Sequence, residues 1–205
     1  MSIAPHSIKI GPADHGRAMS YDDFVAAEWT EGWLYELSRG IIDVTEVPGL
    51  PHGMIVYRVA RLFFRHADAH PGVIRYQAGG GECRIRLPWM ASDRHPDQAV
   101  YLIRDPKGPG LWARWVPAIV VEVLSKRGEH RDFVLKREEY RQMGVSEYWI
   151  LDRYAHAMHV DRKVGDAWEE LILGMDDTHR TDVLPGLEVS VGELLGEAEE
   201  DADEA

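Results

Sequence analysis

Residues 118–124 read AIVVEVL. Aliphatic and β-branched side chains fill both alternating faces of this run, which fits a strand buried on both sides. Glu122 interrupts it. On strand alternation Val120, Glu122 and Leu124 share one face, and Ile119, Val121 and Val123 the other. An ionised carboxylate in such a strand is costly unless it is paired or ligates a metal. Its neighbours on the strand carry no charge, so the partner of Glu122 must come from another element.

The next segment offers one. RDFVLKREEYRQMG, residues 131–144, predicts a helix closed by Gly144. A helical wheel places Phe133, Lys136, Arg137, Tyr140 and Met143 on one side, and Leu135, Glu138, Glu139 and Gln142 on the other. The aromatic side should pack on the sheet. Lys136 lies within it, so its ammonium can reach a buried carboxylate or snorkel to water.

The rest of the chain follows the same logic. Ser20 caps a short helix with acids in its first turn. GWLYELSRGIIDVTEVPG reads as a hairpin turning at SRG. PHGMIVYRVARLFFRHADAHPG is a helix with Ile55, Val59, Leu62 and Phe63 at helical spacing, ended by Pro71-Gly72. Arg58, Arg61 and Arg65 share another of its faces, either a solvated face or a phosphate-facing stripe. Three strand-like runs (VIRYQ, ECRIRLP, PDQAVYLI) precede a Pro/Gly-rich connection and the opening strand. SEYWILD, AMHVDRK and WEELILG are further strands, and LPGLEVSVGELLG ends the body with a strand and a short helix. The expectation is a mixed α/β core with few helices. It divides into an N-terminal arm over 1–18, one domain over 19–195 and an acidic, disordered tail over 196–205.

Composition narrows the function classes. The formal net charge is −12, and six acids of the last ten residues account for half of it. An acidic body argues against broad, sequence-independent DNA coating, but not against a nuclease with a local basic groove. One cysteine, Cys83, allows no internal disulfide and no thiolate metal cage. No apolar run reaches membrane-spanning length and no secretory signal is visible, so a cytoplasmic protein is the simplest reading. The histidines show no zinc-ligand spacing, and His52 reads as an ordinary residue at the start of its helix. AGGGE at residues 78–82 lacks the lysine and serine of a phosphate loop and reads as a turn.

Three residues carry chemistry. Asp97, in Pro96-Asp97, opens a strand after a loop, where sheet-edge sites form. Glu122 is the buried acid, and Lys136 approaches from the helix. Two carboxylates on neighbouring strands suit Mg²⁺, or Mn²⁺ in its place, because these ions take hard oxygen ligands and usually only one or two carboxylates. A bound ion acidifies water and stabilises phosphate charge. A lysine beside it orients the water or offsets charge in the transition state.

The blocks YELSRG, HPDQAVYL, PAIVVEVLSKR, RDFVLKREEY, GVSEYWILD and LPGLEV, in this order, resemble the Uma-type restriction endonuclease family, domain of unknown function 820, over about residues 19–195. That family belongs to the PD-(D/E)XK nuclease superfamily. The resemblance implies a restriction-endonuclease-like core: a central mixed β-sheet flanked by helices, with the acids on two adjacent strands. It matches Asp97 and Glu122 to the two acids. It puts the lysine, absent at Leu124, on the following helix at Lys136. It matches Glu36 to an N-terminal acid that acts as a further ligand or orienter. The backbone carbonyl of Val123 is a natural extra metal ligand. Gln98, where the family usually has an apolar residue, is a departure.

The expectation is a Mg²⁺-dependent DNA endonuclease. Alternatives are a non-catalytic nuclease-like binding module and a hydrolase of another phosphodiester such as RNA. Lys126, Arg127, Arg131, Arg137 and Arg141 are the candidate phosphate contacts. A homodimer would match the two-fold of a duplex.

Overall fold

The computed structural model describes residues 8–126 and 128–196. In chain order its elements begin with β1 (Lys9–Ile10), α1 (Tyr21–Ala26), β2 (Glu28–Trp29), β3 (Trp33–Ser38), β4 (Ile41–Glu46), α2 (Leu50–Ala69), β5 (Tyr76–Ala78), β6 (Ile85–Leu87), β7 (Ser92–Arg94) and β8 (Gln98–Tyr101). There follow α3 (Leu111–Arg114), β9 (Ile119–Val123), α4 (Arg137–Met143, preceded by a π-helical stretch Arg131–Lys136), β10 (Glu147–Asp152), β11 (Ala157–Val164), β12 (Ala167–Gly174), β13 (Thr178–Arg180), β14 (Glu188–Ser190) and α5 (Val191–Leu195). No described helix is long and apolar enough to cross a membrane.

The chain divides into two compact units: Met1–Val47 with Ile85–Arg94, and Pro48–Arg84 with His95–Ala205. The sequence reading expects one domain over 19–195. The split passes through the ECRIRLP run, whose strand β6 joins the hairpin of the first unit.

In the first unit, antiparallel strands stand in the order β4-β3-β7-β6. Ser20 caps α1 by accepting the Asp23 amide at 3.1 Å, and Phe24 sends the helix into a small core with Ile10, Tyr35, Leu37 and Ile42. Residues 8–18, expected as part of an arm, are built into this unit. β1 pairs in parallel with β2, Ile10 is fully buried, and Ala18 bridges to Ile41. Ile10 stands among Gly, Pro, His and charged residues, and that short apolar signal hid the anchor. The acidic tail beyond Gly196 and the first seven residues lie outside the described residues.

The second unit is a six-stranded mixed sheet, β12-β11-β10-β9-β8-β5, in which only β9 and β10 run parallel. All five residues of β9 are buried, as the double-faced apolar run requires. Ile119, Val121 and Val123 pack with Val100, Trp149 and Leu151 against Ile55, Val59 and Phe63 of α2 and Leu194 and Leu195 of α5. Burying such side chains is worth about 1.5–3 kcal/mol each and is what seats α2 on the sheet. Arg58, on the face read as either solvated or phosphate-facing, donates to the Leu194 and Leu195 carbonyls at 3.4 and 2.9 Å, capping the end of α5.

The other face of β9 meets α4, which ends where Gly144 takes φ +91° and its amide returns to Tyr140 and Arg141. The face turned inward holds Asp132, Lys136, Glu139, Tyr140 and Met143. Glu139, placed on the outer side by the wheel, is fully buried. The π-helical stretch winds less per residue than an α-helix, so the following turn is rotated relative to a regular wheel.

Candidate active site

Glu122 is 4% exposed and Lys136 2%. The Lys136 ammonium lies 2.9 Å from Glu122 Oε1, and the Tyr140 hydroxyl donates to the same oxygen at 2.7 Å. Lys136 Nζ also stands 3.7 Å from Asp132 Oδ1, and Arg131 Nε stands 3.1 Å from that atom. Two buried acids are therefore balanced by two cations from one helical segment. The partner that Glu122 requires is Lys136, and Tyr140 adds a second hold that the wheel placed on the correct side.

Asp97 precedes β8. The β8–β9 ladder ends where Gln98 pairs with Val121, the residue before Glu122, so Asp97 leaves the ladder beside the Glu122 end of β9. Asp97 Oδ2 accepts the Val123 amide at 2.7 Å, which ties the first acid to the strand of the second. Gln98 is buried, and its Oε1 accepts from Gln77 Nε2 at 2.9 Å; Gln77 also donates to the Ala60 carbonyl of α2. This departure from the expected apolar residue links β5, β8 and α2 beside Asp97. Gly79, in the AGGGE turn, lies so close that a Cβ there would overlap the Asp97 carbonyl oxygen.

The sequence reading missed His52. In the first turn of α2 its Nε2 lies 3.2 Å from Asp97 Oδ2. Burial alone pushes this imidazole down. The hydrogen bond and charge of Asp97, with the charge of Glu122 behind them, outweigh burial, and the net direction is up from 6.5. No local pattern could have found it, because Asp97 is remote in sequence.

Glu36 lies on β3 in the first unit, where Oε2 pairs at 3.2 Å with Arg94, a fully buried arginine that also donates to Ser38 Oγ. Among the basic candidates, Arg137 contacts Asp161 Oδ2 at 2.8 Å and Glu170 at 2.9 Å, and Arg141 reaches the same Asp161 oxygen at 3.2 Å while lying over the Trp168 ring. Asp161 is buried on β11, and burial pushes its carboxyl up even against these two arginines. Arg131 holds Asp132 and donates to Ser125 Oγ at 3.2 Å. Lys126 is exposed on the loop after β9, and Arg127 lies outside the described residues. Among the described residues, no group of three or more His, Cys, Asp or Glu side chains is placed to hold a metal ion.

The architecture is a mixed α/β fold built on a six-stranded sheet. It is similar to the crystal structure of a "putative nuclease belonging to DUF820" from Anabaena variabilis, with a TM-score of 0.69 and 17% identity over 86% of this chain and 97% of that one. At that identity the likeness speaks for the fold alone. The profile of the Uma2 family, described as "Putative restriction endonuclease", matches residues 21–192, and the chain belongs to that family. No curated protein matches it.

Proposed function

We propose that the protein is a Mg²⁺-dependent DNA endonuclease whose working groups are Asp97, Glu122 and Lys136. The supporting observation is that Asp97 is tied to the Val123 amide, the residue after Glu122 on β9, with Lys136 bonded to Glu122. Family membership supports a nuclease function, and the donor set and the basic residues support the metal and the DNA substrate.

The donor set fits magnesium. Two carboxylates of hard oxygens, with the Val123 carbonyl as an added ligand, match an ion that keeps most of its waters. Such an ion, when bound, supplies Lewis-acid polarisation of the phosphate and a more acidic water. The protein's own part is positioning and charge. β9 holds Glu122 rigidly, and Tyr140 and Lys136 fix its Oε1. Lys136 presents a cation beside the acids, where negative charge would build on a phosphate under attack. Lys126, Arg127 and Arg131 serve as phosphate contacts, and Glu36, the expected further acid, is paired with Arg94.

Plasmid cleavage with Mg²⁺ and Mn²⁺ tests this. Wild type should nick or cut, and Glu122→Ala and Asp97→Ala should not. Absence of cleavage by wild type with either ion, or equal cleavage by the variants, overturns the proposal. A second reading, a nuclease fold kept as a binding module, is favoured by one observation: Lys136 already neutralises Glu122 in a closed ion pair. It expects no Mn²⁺ affinity that Asp97→Ala removes.

A further inference from the structure

We infer that His52 is a positioning residue for the Asp97 carboxylate, fixing the orientation in which that acid binds a divalent cation. The inference rests on the reading of Asp97 and Glu122 as the metal-binding pair, and adds a residue from α2 to it.

Asp97 stands in a loop end, not within a strand, so backbone pairing alone does not set its side chain. Two donors from two different elements do. The Val123 amide of β9 and His52 Nε2 of α2 both address Oδ2, at 2.7 and 3.2 Å. Oδ1 makes no hydrogen bond or ion pair with the described residues. A carboxylate gripped by one oxygen from two directions keeps its plane and leaves the other oxygen for an external ligand. Outer groups that orient a ligand in this way typically contribute 10–100-fold in metal affinity.

The grip is rigid because α2 is. Pro51 occupies the first turn, and Ile55, Val59 and Phe63 anchor the following turns in the sheet core. The His52 side chain is 11% exposed, so water competes weakly for the bond. The imidazole donates from Nε2 as the protonated ring and as the neutral Nε2–H tautomer.

The experiment measures Mn²⁺ binding by isothermal calorimetry on the full chain, for wild type and for Asp97→Ala, His52→Ala and His52→Gln. The glutamine amide nitrogen stands about where Nε2 does and restores a donor without an imidazole. Asp97→Ala should abolish binding. His52→Ala should weaken it about 10–100-fold, with its urea midpoint showing that the fold persists. His52→Gln should recover most of the loss. If Asp97→Ala removes binding but His52→Ala leaves it unchanged, the metal reading stands and this inference falls. If His52→Gln binds as weakly as His52→Ala, the imidazole is not acting as a donor to Asp97 and the inference is overturned. If wild type binds no Mn²⁺ that Asp97→Ala removes, the metal reading fails and takes the inference with it.

Discussion

Replacing Lys136 by methionine isolates the ion pair beneath the site. The side chains are similar in length and the substitution keeps the apolar stem, so packing changes little. What disappears is the ammonium 2.9 Å from Glu122 Oε1 and 3.7 Å from Asp132 Oδ1. Asp132 keeps Arg131 at 3.1 Å, and Glu122 keeps the Tyr140 hydroxyl at 2.7 Å. Removing one partner of a buried pair costs about 3–5 kcal/mol, because the other charge is left buried. The retained Tyr140 bond puts the expected loss near the lower end, about 3 kcal/mol. That is a large part of the roughly 5–15 kcal/mol that holds a domain folded. Adding Glu122→Gln, whose amide still accepts from Tyr140, removes the stranded charge. The double variant should therefore be more stable than the sum of the two single losses predicts, by about 2 kcal/mol. Urea unfolding followed by circular dichroism and tryptophan fluorescence reads all four proteins. A Lys136→Met loss below about 1 kcal/mol, or an additive cycle, would show that the pair is not the buried contact described and would refute the reasoning.

Three shorter predictions use neighbouring groups. Gly79 has extended backbone, φ −151°, so the obstacle to alanine is space and not conformation. Gly79→Ala must displace the Asp97 carbonyl; it should cost about 1–3 kcal/mol and weaken Mn²⁺ binding, and unchanged affinity in a calorimetric titration would count against the close approach. Cys83 is fully buried beside the Tyr101 hydroxyl, and burial pushes its thiol up to about 12. It should resist Ellman's reagent at pH 8 in the native protein and react fully in denaturant; rapid native reaction contradicts this. His52 is raised above 6.5, so in chelated buffer the extra stabilisation its positive charge gains beside Asp97 is fully present below that value and is lost as pH rises through the folded value. The stability gap between wild type and His52→Gln should shrink from pH 6 to 9, and a gap that widens is the opposite sign.

What the sequence could show depended on where each partner lay along the chain. Glu122 was conspicuous because a charge in a β-branched run breaks a local pattern. Lys136 and Tyr140 were legible because helical spacing puts them on one face of a segment directly after that strand. Asp97 was marked by its Pro-Asp block. His52 had no such signal, because its meaning comes only from Asp97 across a turn of tertiary structure. The strand β7 was hidden for a related reason. Ser92, Asp93 and Arg94 are polar and read as loop, yet all three are fully buried, held by Arg39, Arg86, Glu36 and Ser38. The same holds for Glu147, which meets His179 at 3.1 Å, Trp149 at 2.8 Å and the Thr181 hydroxyl at 2.7 Å inside the core. Buried polar networks are closed by long-range partners, and a hydropathy pattern carries no record of them.

The basic cluster shows how this changes a functional expectation. Lys126, Arg127, Arg131, Arg137 and Arg141 form a local excess of positive charge, and five phosphate contacts would give a salt slope of about −4.5 in log affinity against log salt concentration. Asp161 removes two of the five. It lies buried under Arg137 and Arg141, 18% and 30% exposed at their side chains, and withdrawing both arginines toward phosphates would strand that carboxylate. Three residues remain, for a slope of about −2.7 or shallower. Binding of a short duplex followed by fluorescence anisotropy across salt concentrations measures it. Arg137→Ala should lower stability and leave the slope unchanged, whereas Lys126→Ala should reduce it by about one. A slope near −4.5 that Arg137→Ala and Arg141→Ala flatten would mean that both arginines leave Asp161 for the nucleic acid, and that the charge pattern of the chain was the better guide than its ion pairs.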